Sequence, residues 1–97
     1  MEAKIEAPIK TVVVPLVPGF EELEAVTIID VLRRGEVNVV VAGPTTAAVV
    51  GSHRIALCPD AALEAIAWGE IDGLVLPGGP GTELLQQTLR CAKPCGN

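Results

Sequence analysis

Three short apolar blocks, separated by turn residues, dominate the hydrophobic pattern of the chain. They are residues 11–14, 38–42 and 73–76, and valine and leucine supply most of them. Each block is apolar without alternation, as expected of strands that are covered on both faces and lie in a parallel sheet. Because proline removes a donor from the sheet ladder, we expect Pro15 at the carboxyl end of the first strand or facing a gap in the pairing.

The segment between the first two blocks, residues 21–34, predicts a helix. Three glutamates open it and two arginines close it, as the helix dipole favours, and Gly35 follows where a left-handed cap is expected. Its apolar residues occupy more than one side of the cylinder, so one face should cover the sheet and the other should meet another element or subunit. The first face holds Ala25, Ile28, Ile29 and Leu32, whereas Leu23, Val26 and Val31 lie elsewhere.

A strand, helix and strand within about thirty residues predict a right-handed βαβ unit. Beyond it, residues 49–57 predict a small hairpin, and residues 61–68 a short helix with Asp60 as its N-cap. The last strand leads into the glycine-proline loop 77–81 and a helix over 82–89. The pattern predicts a doubly wound α/β sheet, and residues 90–97 are too few for a further strand and helix. We therefore expect a truncated fold.

Composition narrows the class of protein. The chain has 97 residues, 49% of them hydrophobic, and a net charge of −5. These values suit one small ordered domain and argue against nucleic-acid and anionic membrane partners. No apolar run reaches the roughly 18–20 residues of a membrane helix, and the first residues form no hydrophobic signal block. We expect a cytoplasmic protein.

The cysteines and the single histidine predict neither a disulfide framework nor a metal site. Three cysteines are an odd number without an export signal, so reduced thiols are expected. Cys91 and Cys95 lack the two further ligands that zinc needs, since His53 is the only histidine. No dinucleotide or Walker glycine pattern is present, and we expect no cofactor.

The first of two informative loops, residues 18–25, follows the first strand, and ligands bind at the carboxyl ends of strands in such sheets. Glu21 and Glu22 are fully explained by the preference of helix N-termini for carboxylates. Glu24 differs because it lies one turn into the helix, on the side expected to face the strand ends. It is the candidate for a catalytic or ligand-binding carboxyl.

The second loop, residues 76–81, contains three glycines and two prolines. Glycines let backbone N–H groups point into the crevice, where they could form an oxyanion hole or an anion nest. A tight turn between strand and helix uses the same residue types.

Together these loops resemble the DJ-1/PfpI family, within the class I glutamine amidotransferase-like superfamily. The resemblance rests on the G-x-E-E-x-E block at 19–24 and the L-P-G-G block at 76–79, and covers nearly all of residues 10–89. The DJ-1-like branch of eukaryotes is the most similar. We therefore divide the chain into a flexible segment at 1–9, a partial DJ-1/PfpI domain at 10–89 and a divergent tail at 90–97.

The resemblance implies a flavodoxin-like sandwich that is usually dimeric, with an active site pairing an acid on the first helix with a nucleophilic cysteine on a strained elbow. Glu24 matches the acid, which in the family is protonated and hydrogen-bonds the cysteine sulfur. Gly79 matches a backbone donor for the oxyanion. Family members are described as cofactor-independent glyoxalases, protein or nucleotide deglycases, peptidases and oxidation-sensing chaperones.

The sequence departs from the family at the nucleophile. The family cysteine follows a further helix and strand, and no such elbow strand is found after the L-P-G-G block. Cys91-Ala92-Lys93-Pro94 has similar lettering, but no apolar strand precedes it and Lys93 replaces a small residue, so Cys91 is only a weak nucleophile candidate. Cys58 matches a family cysteine near the subunit contact, and is either a small hydrophobe at a strand end or a redox site.

These features predict a DJ-1/PfpI-like protein that is inactive alone. Two alternatives stay open: a half-domain completed by a second chain or by homodimerisation, and a non-enzymatic chaperone-like binding module. A small aldehyde or a glycated molecule is the expected substrate only if the site is completed.

Overall fold

The computed structural model describes residues 10–79 as a small parallel sheet with one long helix and a separate hairpin. The central sheet has the order β5-β2-β1-β6, with every neighbouring pair parallel. Two 3₁₀ turns, Leu63–Ala65 and Trp68–Glu70, lie between the last two strands. The elements are β1 (Thr11–Pro15), α1 (Glu22–Arg34), β2 (Asn38–Gly43), β3 (Val49–Val50), β4 (Ala56–Leu57), β5 (Ala61–Ala62) and β6 (Gly73–Leu74).

The pairing of β1 with β2 forms the centre of the sheet. It runs in parallel register from Thr11 and Asn38 to Pro15 and Ala42. Pro15 stands at the carboxyl end of its strand as expected, and the Leu16 N–H donates to the Ala42 carbonyl at 2.7 Å just beyond it. The apolar blocks of the sequence are thus parallel strands, and the doubly wound α/β prediction is confirmed.

The sheet is covered on both faces, as the unbroken apolar strands predicted. On one side α1 packs against a cluster that includes Val14 and Phe20. On the other side Val13 and Leu63 are buried, and Trp68 packs against them. Val13 and Val14 are adjacent in sequence and face opposite sides, because successive side chains of a strand alternate.

Helix α1 has two apolar sides, as the sequence indicated. Ala25 is buried, and the partly buried side chains Ile28, Ile29 and Leu32 pack against the core. Leu23 is 74% exposed, and Val26 and Val31 are exposed as well. Among residues 10–79, this second side is therefore not covered by another element.

The predicted left-handed cap at Gly35 is wrong. Gly35 has a φ of −85°, and its N–H donates to the carbonyls of Val31 and Leu32, each at 3.1 Å. The left-handed residue is Glu36, at a φ of 66°. The helix still ends at Arg34 as predicted, and only the left-handed residue comes one position later than expected.

The helix predicted over 61–68 is also wrong. Ala61–Ala62 forms β5, which pairs with β2, and only single 3₁₀ turns follow. Asp60 caps no helix, because its Oδ2 accepts from the Val41 N–H at 2.8 Å and from Arg33 Nη2 at 3.1 Å. Pairing with the neighbouring strand outweighs the local helix preference here.

The predicted hairpin is confirmed, with β3 and β4 antiparallel and Val49 opposite Leu57. The last predicted strand is shorter than 73–76, although the Val75 N–H still donates to the Val13 carbonyl. Within residues 10–79, no helix is long and apolar enough to cross a membrane. The helix predicted over 82–89, the tail at 90–97 and the segment at 1–9 lie outside the described residues.

We expect the isolated 97-residue chain to be poorly folded or to self-associate. Within residues 10–79, β6 pairs with β1 on one side only, and Leu74 and Leu76 are partly exposed beside it. An apolar strand edge with unpaired N–H and C=O groups recruits other chains. Sedimentation and calorimetry should show associated or non-cooperatively melting protein, whereas a monodisperse monomer with one cooperative melt would contradict this.

Candidate functional site

Glu24 is joined to the glycine loop that follows β6. It lies in the first turn of α1, and its Oε1 accepts a hydrogen bond from the Gly78 N–H at 2.5 Å. The Gly78 carbonyl accepts in return from the Glu21 N–H at 2.9 Å. These two bonds bring together the two loops that the sequence singled out.

Gly79 lies against the segment that leads into α1. Its φ is 122°, and a Cβ on it would collide with the Gly19 carbonyl oxygen and the Glu21 nitrogen. Both neighbours are backbone atoms and cannot move aside, so this close approach requires glycine. The structure thus places Gly79 beside the start of α1, while its part as an oxyanion donor stays a prediction.

The segment that leads into α1, at Gly19 and Phe20, is held on its other side by the hairpin. The Gly19 N–H donates to the Val50 carbonyl at 3.0 Å, and the Ser52 N–H donates to the Phe20 carbonyl at 2.9 Å. The Phe20 side chain is buried in the core below. The approach to α1 is therefore fixed from both sides and from underneath.

Glu22 is the functional-site residue that sequence reasoning missed. Its side chain is 4% exposed, and its Oε2 accepts from the backbone N–H groups of His53 at 2.6 Å and Ile55 at 3.2 Å. Its Oε1 lies 3.1 Å from His53 Nδ1 and 3.4 Å from Ser52 Oγ. A helix-dipole explanation of Glu22 is therefore incomplete, because the carboxylate anchors the hairpin turn.

The hairpin turn is shaped around this carboxylate. A Cβ on Gly51 would overlap the Glu22 carboxyl group, so glycine makes room for it. Arg54 lies between His53 and Ile55, whose N–H groups donate to Glu22. Its φ is 66°, a left-handed conformation that non-glycine residues rarely adopt. The hydrogen bonds to Glu22 help to hold the turn in this strained form.

Glu22 is ionised at neutral pH. Burial opposes its charge, but hydrogen bonds from its own backbone N–H, from the N–H groups of His53 and Ile55 and from the His53 ring outweigh burial and lower its pKa to about 2. Hydrogen bonds that favour the charged form depress a carboxyl pKa in this way.

Glu21, Glu22 and His53 form a group whose ligand atoms lie within 4.8 Å of one another and could hold a metal ion. The sequence predicted no metal site and could not have found this group, because His53 is 31 residues from Glu22. A hydrogen bond from His53 Nδ1 to Glu22 explains the short distance between these groups equally well, so the geometry does not require a metal.

Cys58 lies away from these loops. Its thiol is exposed just after β4, at a cavity of about 360 Å³ between α1 and the hairpin. It stands at a strand end, and whether it acts as a small hydrophobe or as a redox site stays a prediction. The cavity is lined by Val26, Ile29, Asp30, Arg33, Val41, Leu57, Cys58 and Asp60, and none of these contributes to the Glu24–Gly78 contact. Cys91 lies outside the described residues.

The sheet is parallel and covered on both faces, and a carboxyl on α1 is bonded to a glycine loop at the carboxyl ends of the strands. This is the arrangement of a flavodoxin-like α/β domain. The chain belongs to the DJ-1/PfpI family, whose model matches residues 10–93. The resemblance read from the two loop motifs is confirmed.

Individual relatives agree with this family. Protein DJ-1 homolog A of Arabidopsis thaliana is 46% identical over 79 residues, which are 79% of this chain and 20% of that protein. Glutathione-independent glyoxalase DJR-1.2 of Caenorhabditis elegans is 36% identical over 67 residues, 69% of this chain and 36% of that protein. The crystal structure of Drosophila melanogaster DJ-1beta superposes with a TM-score of 0.78 at 36% identity, covering 84% of this chain and 46% of that one. The chain thus spans less than half the length of these relatives.

We expect replacement of Glu22 to change how stability depends on pH. The pKa of Glu22 falls from an ordinary value of 4.5 to about 2 on folding. The resulting stability is fully present above about pH 4.5 and is lost as the pH falls towards 2. Glu22→Gln should lower the free energy of unfolding at neutral pH and flatten its dependence on pH between these limits.

Chemical denaturation at a series of pH values measures this effect. Glu64→Gln, at an exposed carboxyl in a 3₁₀ turn, is the matched control and should keep the wild-type slope. Equal slopes in wild type and Glu22→Gln would show that this carboxylate does not anchor the turn.

Proposed function

We propose that the chain carries the acid side of a DJ-1-type, cofactor-independent aldehyde-processing site and that the 97 residues alone do not complete it. The observation that carries this proposal is the contact between Glu24 and Gly78 at the carboxyl ends of the strands. The similarity to a worm protein named as a glyoxalase supports the reaction class.

The position of Glu24 suits proton transfer to and from a bound substrate. One carboxyl oxygen is held by the Gly78 N–H, so the side chain has a defined direction. A carboxyl held through one oxygen can use the other for a second hydrogen bond. In the family, the partner of the matching acid is the nucleophilic cysteine sulfur.

Glyoxalase or deglycase chemistry needs three groups in one place. A thiolate attacks the aldehyde or hemithioacetal carbon, an acid moves protons, and backbone donors stabilise the developing oxyanion. Glu24 supplies the acid, and we assign the donor role to the loop at Gly78 and Gly79. No cysteine within residues 10–79 adjoins them, since Cys58 opens on a different cavity.

Cys91 is the weak candidate for the missing thiolate. A cysteine acts as a nucleophile through its thiolate, which an elbow or a neighbouring cation favours. Lys93 stands where the family elbow has a small residue, which disfavours the sharp turn. We therefore assign Cys91 no catalytic part.

The second apolar side of α1 favours a further proposal, that the chain pairs with a second copy or with a complementing chain. Leu23 and Val26 are exposed on this side, and the exposed Ile55 of the hairpin is tied to the start of α1 through Glu22. Exposed apolar patches mark interaction sites. A cytoplasmic location and a chaperone-like use of the same surface stay predictions.

We expect no turnover of methylglyoxal above the background of free cysteine, because the covalent route needs an activated thiolate. Lactate production by the purified chain measures this, with Glu24→Gln and Cys91→Ser as comparison variants. All three proteins should match the background. Activity well above background that Cys91→Ser abolishes would contradict the proposal and would make residues 91–94 a working elbow.

We expect Val26→Asp to dissociate any dimer that uses the second side of α1. An unpaired charge inside an apolar contact costs on the order of several kcal/mol. Ile29 is unsuitable for this test, because it packs against the core. Val31→Asp, at the far end of the same side and beside Val75, shows how far along the helix the contact extends. A size-exclusion profile that Val26→Asp leaves unchanged would place the interface elsewhere.

A further inference from the structure

We infer that Glu22 is a positioning residue for His53: it holds the ring proton on Nδ1 and leaves Nε2 as an exposed proton acceptor and nucleophile beside the entrance to α1. The ring is 73% exposed, and the carboxylate that orients it is buried. This role does not depend on any turnover at Glu24.

The direction of the Glu22 carboxylate is fixed by main-chain groups. Its Oε2 accepts from the N–H of His53 and the N–H of Ile55, so the carboxyl group cannot rotate without losing both bonds. Its Oε1 is thereby brought to 3.1 Å from Nδ1 of the same histidine. The backbone and the ring of His53 are thus bound by the two oxygens of one carboxylate.

The acceptor chemistry then decides where the ring proton lies. An ionised carboxylate only accepts hydrogen bonds, so a lone pair on Nδ1 would face a second acceptor at hydrogen-bond distance. The Ser52 hydroxyl has one proton and lies near Nδ1, at 3.1 Å, and near both glutamates. If Ser52 donated to Nδ1, the contact between Nδ1 and Glu22 would stay repulsive. If Nδ1 donates to Glu22, Ser52 can donate to a glutamate and no acceptors face each other.

The remaining ring nitrogen is the reactive one. With the proton on Nδ1, the Nε2 lone pair is available, whereas a histidine free in water prefers its proton on Nε2. Glu21 adds a second carboxylate 3.8 Å from Nδ1. A serine-hydrolase triad is excluded, because Ser52 and Glu22 contact the same nitrogen, whereas a triad uses both.

The ligand class follows from this arrangement: a small electrophilic acyl compound. Nε2 forms a bond to the acyl carbon, the leaving group departs with the electron pair of its own bond, and the Nδ1 proton passes to Glu22 and then to solvent. A neutral N-acylimidazole remains. Diethyl pyrocarbonate, which releases ethyl carbonate in this step, is a suitable probe.

The tautomer can be measured directly, because His53 is the only histidine. We would record magic-angle-spinning ¹⁵N spectra of the full histidine-labelled chain, since this method tolerates association. The pH would be about 8, above the usual histidine range. The wild type should show a protonated Nδ1 and an unprotonated Nε2. A protonated Nε2 in the wild type would overturn the inference, even if every variant failed to fold.

Two variants separate Glu22 from its neighbour. Glu22→Gln should shift the ring towards the form protonated on Nε2 and should slow carbethoxylation severalfold, as followed by mass spectrometry. Glu21→Gln should keep the wild-type tautomer, because Glu21 does not bind the backbone of His53. A Glu22→Gln spectrum identical to that of the wild type would show that another group sets the tautomer.

Discussion

The ionised carboxylate of Glu22, buried at the start of α1, is the group on which the arrangement of the loops depends. Its donors lie 31 and 33 residues away, in the turn of the hairpin. A buried charge is tolerated only when it is hydrogen-bonded, so the helix start and the hairpin turn must form together. The same turn also donates from the Ser52 N–H to the Phe20 carbonyl. It contains Arg54 in its left-handed conformation.

Glu22 and Glu24, in one turn of α1, form hydrogen bonds on opposite sides of the helix. Residues two apart on a helix differ by about 200° in direction, so Glu22 reaches the hairpin and Glu24 reaches Gly78. Glu21 precedes them as the N-cap of α1, and its backbone N–H donates to the Gly78 carbonyl. The entrance to α1 is therefore clamped between two loops, and such clamping gives the Glu24 carboxyl a fixed position before any ligand arrives.

The parts of the fold that the sequence predicted are those with local causes. Unbroken apolar blocks indicated the parallel strands, and charges at both ends indicated α1. The position of Glu24, one turn into the helix, already indicated a catalytic or ligand-binding carboxyl before any resemblance was considered. The errors have distant causes: residues 61–62 pair with β2, Asp60 binds the Val41 N–H and Arg33, and the donors of Glu22 belong to a hairpin whose position no local pattern reveals.

The central claim is that two carboxylates of α1 each hold a different loop, and amide hydrogen exchange tests it most directly. Peptides covering residues 51–57 and 75–79 would be compared in wild type, Glu22→Gln and Glu24→Gln. We predict that Glu22→Gln speeds exchange in the hairpin peptide and leaves the glycine-loop peptide unchanged, and that Glu24→Gln does the reverse. Equal effects of both variants on both peptides, or no effect of either, would contradict the account.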